Sequence, residues 1–152
     1  MSVNRALYSL GLVLYVLSFF FVATGDPKGP TGRMMGYECA YLAVETSITE
    51  APFSPNWDPR DSVLMYISTV ISGLINPVFL VYVTLASVKR APRTARVLKF
   101  AIVSMIPFCW VVFYYLGIYP REGHFLWLIA MLLVLLSIRK QAPSKPVEAG
   151  AS

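Results

Sequence analysis

The chain has 152 residues, of which 57% are apolar and 14% charged, with a formal net charge of +5. A soluble domain averages about 45–50% apolar and about 25% charged residues, so there is too little charge here to coat a globule of this size. That arithmetic excludes a soluble enzyme, a disordered protein and a disulfide-stapled secreted mini-domain, and leaves an all-α integral membrane protein.

The first apolar run, Ala6–Thr24, has no charge and is long enough to cross ~30 Å of hydrocarbon at 1.5 Å per residue. Arg5 before it and Ala23-Thr24-Gly25 after it also fit a cleavable signal peptide, although the apolar stretch is longer than the usual 7–15 residues. Cleavage would leave three helices, with the new N-terminus outside. The polar segment 25–62 follows, with turn-rich ends at 25–30 and 52–59. Between those ends Met34, Tyr37, Tyr41, Val44 and Ile48 recur at helical spacing, with Glu38, Glu45 and Thr49 on the other side. This pattern predicts a short amphipathic helix on the membrane surface or over the bundle. The β-branched stretch 44–49 could instead pair as a strand. Tyr37, Tyr41 and Glu45 are the candidate contacts for a partner protein.

The second run, Val63–Val88, carries Ser68, Ser72 and Asn76 at steps of four, with Pro77 directly after the amide. Small and polar residues on one stripe let helices approach closely and hydrogen-bond in lipid. Pro77 leaves the Gly73 carbonyl without its helical donor. Asn76 lies near mid-membrane depth, and its partner is expected on the third run near Val103 and Ser104. Next comes a basic segment with Lys89, Arg90, Arg93, Arg96 and Lys99 and no acid. It is placed against anionic lipids of the cytoplasmic leaflet.

The third run, Phe100–Tyr119, repeats the proline device at Pro107 beside Ser104. The fourth, Phe125–Ile138, is short, and spans if the helix extends over 122–140 with its flanking cations snorkelling to the interfaces. It is apolar apart from Ser137 and is expected to face lipid or a partner, while the first three helices turn polar seams inward. On the first helix that seam is Tyr8, Gly11, Tyr15 and Ser18. The membrane domain is thus 1–142, a four-helix bundle with spans of about 6–24, 63–88, 100–119 and 122–140. Residues 143–152 form a disordered tail.

Charge fixes the orientation. Nine of the 13 Lys and Arg lie at the N-terminus, in the 89–99 segment or in the C-terminal tail, while 25–62 sums to −3. Both termini are expected in the cytoplasm and the long loop outside. No Asn-x-Ser/Thr acceptor occurs in that loop, which accords with a bacterial inner membrane.

The chemistry missing from the sequence bears most directly on function. No Asp, Glu, Lys, Arg or His interrupts the four runs, whereas proton-coupled pumps and voltage sensors depend on such residues. His124 is the single histidine, so it reads as a cap at the start of the fourth helix. Cys39 and Cys109 are far apart in sequence with no Cys-x-x-Cys pair, and no phosphate loop or hydrolase motif is present. The sequence therefore indicates no enzyme, no cofactor, no metal site and no nucleic-acid partner. Two functions compete. One is an accessory, assembly or protective subunit acting through contacts with another membrane protein. The other is a small oligomeric transporter or channel for a neutral or lipid-like ligand, lined by Ser72, Asn76 and Ser104.

Overall fold

The structure, a computed structural model, describes residues 2–25, 33–49, 63–88 and 91–139. The turn-rich ends of the long loop, Lys89, Arg90 and the tail beyond 139 lie outside the described residues. The chain is mostly helical. Its elements run β1 (Ser2–Val3), α1 (Arg5–Ser18), β2 (Val22–Gly25), β3 (Arg33–Met35), α2 (Gly36–Thr49), α3 (Val63–Ser87), α4 (Pro92–Leu116), β4 (Tyr119–Pro120), α5 (Glu122–Ser137) and β5 (Ile138–Arg139). Of these, α3 and α4 are long and apolar enough to cross a membrane, and α1 and α5 are shorter apolar helices.

Two helix boundaries differ most from the sequence expectation, while α4 closes at Leu116 and α5 at Ser137, each three residues short of the expected end. The first helix ends at Ser18, and Val22–Gly25 is a strand in place of a last helical turn. Phe19–Phe21 form the turn that leaves the helix, and the strand after it carries Val22 and Thr24, β-branched types that favour extended pairing. The last carbonyls of α1 are taken by a tightened turn, with Phe20 N donating to Leu17 O at 2.9 Å and Phe21 N to Ser18 O at 3.4 Å. The carbonyls just beyond are met by the start of α2, Gly36 N donating to Phe21 O at 3.0 Å and Tyr37 N to Phe19 O at 3.1 Å. At the other boundary, α4 starts at Pro92 and takes Arg93, Arg96 and Lys99 into its first turns. Proline suits the first helical position because its missing N–H would have no partner there, and Arg and Lys are good helix formers. The helix closes on Gly117 in the left-handed conformation, φ 61°.

Two small sheets tie the ends of the bundle. β1 pairs antiparallel with β5, while β2 lies between β3 and β4. The β1–β5 ladder joins the start of α1 to the end of α5, and the β2–β4 ladder joins the opposite ends. α1 and α5 are therefore antiparallel neighbours. Tyr8 meets Ser87 and Tyr15 meets Asn76, so α1 is antiparallel to α3 as well. It follows that α3 and α5 run in the same direction, from the end with the three-stranded sheet towards the end with the termini.

The core reverses one expectation. α5, placed against lipid from its composition, is the most enclosed helix: Ala130, Met131 and Val134 are fully buried, with Trp127, Leu135 and Ser137 also inside. A helix that is apolar all round can sit in lipid or in the centre of a bundle, and composition does not separate the two. Gly11 decides it. A Cβ there would lie 2.7 Å from Val134 Cγ2 and 3.0 Å from Ala130 O, so α1 and α5 touch backbone to backbone. The expected seam on α1 does turn inward, with Gly11, Tyr15 and Ser18 buried. Lys99 Nζ reaches across from α4 to donate to Leu135 O near the end of α5.

A polar-tipped cavity beneath the three-stranded sheet

A cavity of about 410 Å³ opens between α2, α3, α4, α5 and β2. Its wall is mainly apolar, from Phe19, Ile75, Val112, Phe113 and Trp127, and none of its residues is Asp, Glu, Lys or Arg. Volumes of a few hundred Å³ are those of small-molecule sites.

At its deep end stands Asn76. Its Oδ1 accepts two hydrogen bonds, from Tyr15 OH at 2.9 Å and Trp127 Nε1 at 2.9 Å. The expected partner on α4 is not used: the amide bonds to α1 and α5 instead. The reason lies in the donor inventory. Val103 and Ser104 are exposed on the outer face of α4, whereas Tyr15 and Trp127 point into the core and need acceptors there. An indole N–H can only donate, so the amide oxygen must face Trp127. The two Nδ2 protons are thereby turned away from both donors, and they have no hydrogen-bond partner among the described residues.

Ser72 is one helical turn before Asn76 on the same stripe. Its Oγ is buried without a partner; the Cys109 thiol lies beside it without reaching hydrogen-bond geometry. Ser68, one turn further, is fully buried and satisfied by its own helix, donating to Leu64 O at 2.6 Å. Pro77 is exposed, and α3 continues through it. Ser68, Ser72 and Asn76 thus form one inward stripe, and Ser104 does not join it.

His124, read from sequence as a cap, is 7% exposed. It is enclosed by aromatic rings: Phe113 at 4.7 Å, Trp127 at 5.3 Å and Trp110 at 5.5 Å between centroids. Its Nε2 is buried and unpartnered. The histidine enters the interior because Gly123 lets α5 press against the chain at Phe21, where a Cβ would meet Phe21 O at 2.8 Å. Sequence reasoning missed this and the Tyr15 and Trp127 bonds. One signal was available: a lone amide in an apolar run needs donors from the few polar groups the other helices carry.

The sheet-side wall of the cavity is built by β2 and α2. Thr24 Oγ1 lies 3.5 Å from Cys39 Sγ, and Glu38 accepts from Met35 N at 2.7 Å, closing the start of α2 with a capping-box contact. Burial pushes the Cys39 thiol above its ordinary pKa; the Thr24 bond opposes this and the neighbouring Glu38 charge adds to it. α2 begins at Gly36 and runs through the β-branched stretch to Thr49. It packs on its small face, with Gly36, Cys39, Ala40 and Ala43 at the cavity. Tyr37 is 52% and Tyr41 66% exposed, and Glu45 is exposed. The expected apolar stripe therefore points largely outward.

Among the described residues no group of His, Cys, Asp and Glu could hold a metal ion. Compared with known proteins, the chain matches no family, and neither a curated protein nor a solved structure resembles it.

Proposed function

We propose that this protein is a four-span membrane protein of the bacterial inner membrane, with both termini in the cytoplasm, that holds a small neutral, lipid-like molecule in the cavity beneath its outer sheet. The observation that carries the reading is the cavity itself, lined by helices and β2 and free of Asp, Glu, Lys and Arg, with residues that carry unpartnered polar atoms along its wall. An ionised ligand would enter an apolar site with no counter-charge, at a cost of several kcal/mol. A neutral molecule with an apolar body meets no such penalty.

The membrane setting is supported by where the apolar surface lies. Little of the apolar length of α4 is buried, and Val97, Phe100 and Val103 are exposed on it. A core helix of a soluble protein would be mostly covered. Arg93 and Arg96 are exposed at the terminus end of α4 and suit an anionic leaflet, together with Lys89 and Arg90. Lys99 does not belong to that set, because its ammonium is engaged by Leu135 O.

A second reading keeps the accessory-subunit role. It is favoured by Tyr37 and Tyr41, exposed four residues apart on α2 and so available together to a partner.

The test of the main reading uses Cys39 as a reporter at the cavity. In lipid nanodiscs, with Cys109→Ala to leave one thiol, a neutral amphiphile in the cavity should slow Cys39 alkylation severalfold. Native mass spectrometry should show one such molecule bound per chain. Alkylation unchanged by every neutral amphiphile, with no bound mass, would end the reading.

A further inference from the structure

The geometry points to a specific polar end for the ligand, an uncharged hydroxyl or carbonyl oxygen held by Asn76, Ser72 and His124; this rests on the cavity being a binding site. The level of the three groups comes from the helix directions. Asn76 and Trp127 are joined by a 2.9 Å bond, and α3 and α5 run the same way. Ser72 is four residues before Asn76, and His124 is three before Trp127. Both therefore stand about one turn, ~5 Å, above that bond on the sheet side, and both border the same cavity.

Their chemistry is complementary to a neutral oxygen. Asn76 Nδ2 can only donate, because its oxygen is committed to Tyr15 and Trp127. It requires an acceptor. The Ser72 hydroxyl donates or accepts and reaches a ligand by rotation about one bond. Neutral imidazole offers either a donor or an acceptor at Nε2 according to its tautomer. A hydroxyl oxygen serves all three, and a carbonyl oxygen serves the obligate donor and either ambivalent group acting as donor. A pure hydrocarbon leaves every one of them unmatched. Buried polar atoms without partners are uncommon in native proteins, and two of the three such atoms among the described residues belong to residues that border this cavity, where side-chain rotation brings them to a ligand.

The ligand class is therefore a long-chain alcohol, ketone or glyceride-like ester in place of an alkane or a fatty acid. Sites that hydrogen-bond a ligand oxygen discriminate strongly against the analogue lacking it. The probes are four ten-carbon molecules, 1-decanol, 2-decanone, decane and decanoate, titrated against Cys39 alkylation in nanodiscs with Cys109→Ala. Decanol and decanone should protect at concentrations roughly tenfold below decane, and decanoate should not protect at neutral pH. The paired variant Ser72→Ala with His124→Phe keeps the ring packing and removes two of the three polar partners. It should narrow the preference for decanol over decane to about threefold or less, whatever its absolute affinity for decane. Equal protection by decanol and decane in the unmutated wall would overturn the oxygen-recognition inference and leave the cavity reading standing. Protection by none of the four would remove both. Should the paired variant fail to fold, Ser72→Ala alone is read the same way, with a smaller narrowing expected.

Discussion

Asn76 holds three helices together through one oxygen, and this gives it a larger structural role than a single amide usually has. Replacing it by leucine keeps the volume but leaves Tyr15 OH and Trp127 N–H without an acceptor in a dry core. Stranded donors cost about 1–3 kcal/mol, although partners available in lipid moderate this. We expect Asn76→Leu to lower stability by about 1–3 kcal/mol in denaturant unfolding from mixed micelles. Adding Trp127→Phe should cost less than the sum of the two single changes, because one stranded donor is then removed; strict additivity would show that the bond contributes nothing. Cys39 yields a second expectation at this scale. Its thiol is raised by burial, and the thiolate is the reactive form. The thiolate fraction therefore grows only at higher pH than for a free cysteine, and the pH midpoint of its alkylation should be displaced to the alkaline side. Opening the sheet-side wall of the cavity with Thr24→Ala moves the balance in two directions: it removes a bond that lowers the pKa and loosens the burial that raises it. The unmodified chain is accordingly the cleaner measurement. The inward stripe of Ser68, Ser72 and Asn76 was legible from their spacing alone. His124 was not, because a histidine beside Arg121 and Glu122 has the local composition of an interface. Its burial comes from Gly123 and the chain at Phe21, a contact between elements far apart in sequence.

At the level of elements, the helices were legible and their ends were not. Long charge-free runs give helices in lipid because their backbone groups must be satisfied internally. Over Val22–Gly25 a different solution satisfies them, since β2 is paired on both edges and three of its four residues are buried. Apolar composition does not distinguish a buried strand from a last helical turn. Two glycines set this arrangement. A Cβ on Gly36 would lie 2.5 Å from Ser18 O and 2.8 Å from Phe19 Cα, both backbone atoms. A Cβ on Gly11 meets first a side-chain methyl of Val134, which can shift. Gly36→Ala should therefore lift α2 from the end of α1, with a cost of about 1–3 kcal/mol from overpacking and faster alkylation of Cys39. Gly11→Ala should reduce overall stability by a smaller amount and leave the Cys39 rate unchanged. Equal Cys39 rates in the two variants would show that the sheet-side wall of the cavity does not depend on that contact.

For the whole molecule, the ladders at the two ends and the distribution of charge can be checked against each other. α3 and α4, with 25 residues each, are ~37 Å long, while α1 and α5, with 14 and 16, reach only ~21 and ~24 Å. The short helices alone fall short of a ~30 Å hydrocarbon layer. On the proposed four-span reading β2 and β5 would complete their passage, and β2 would be tolerable at that depth because three of its four residues are buried in protein. The β1–β5 ladder puts Ser2 beside Arg139, so the two ends of the described bundle leave at one end, which also carries Arg93 and Arg96 at the start of α4. A large excess of cations on one side fixes orientation at about 1 kcal/mol per exposed charge near an anionic leaflet. Reporter fusions before Met1 and after Ser152 should both be active only in the cytoplasm, and Cys39 should react with an impermeant thiol reagent added from outside. Arg93→Glu with Arg96→Glu should then invert a measurable fraction of molecules, seen as Cys39 labelled only after the membrane is opened. Lys99 is left in place in this experiment, because reversing it would also remove the donor to Leu135 O and confuse a folding defect with a change of orientation. A C-terminal fusion active outside the cell would contradict the shared end and with it the four-span arrangement. An unchanged labelling pattern in the double variant would show that orientation is set elsewhere, by Lys89, Arg90 or the termini.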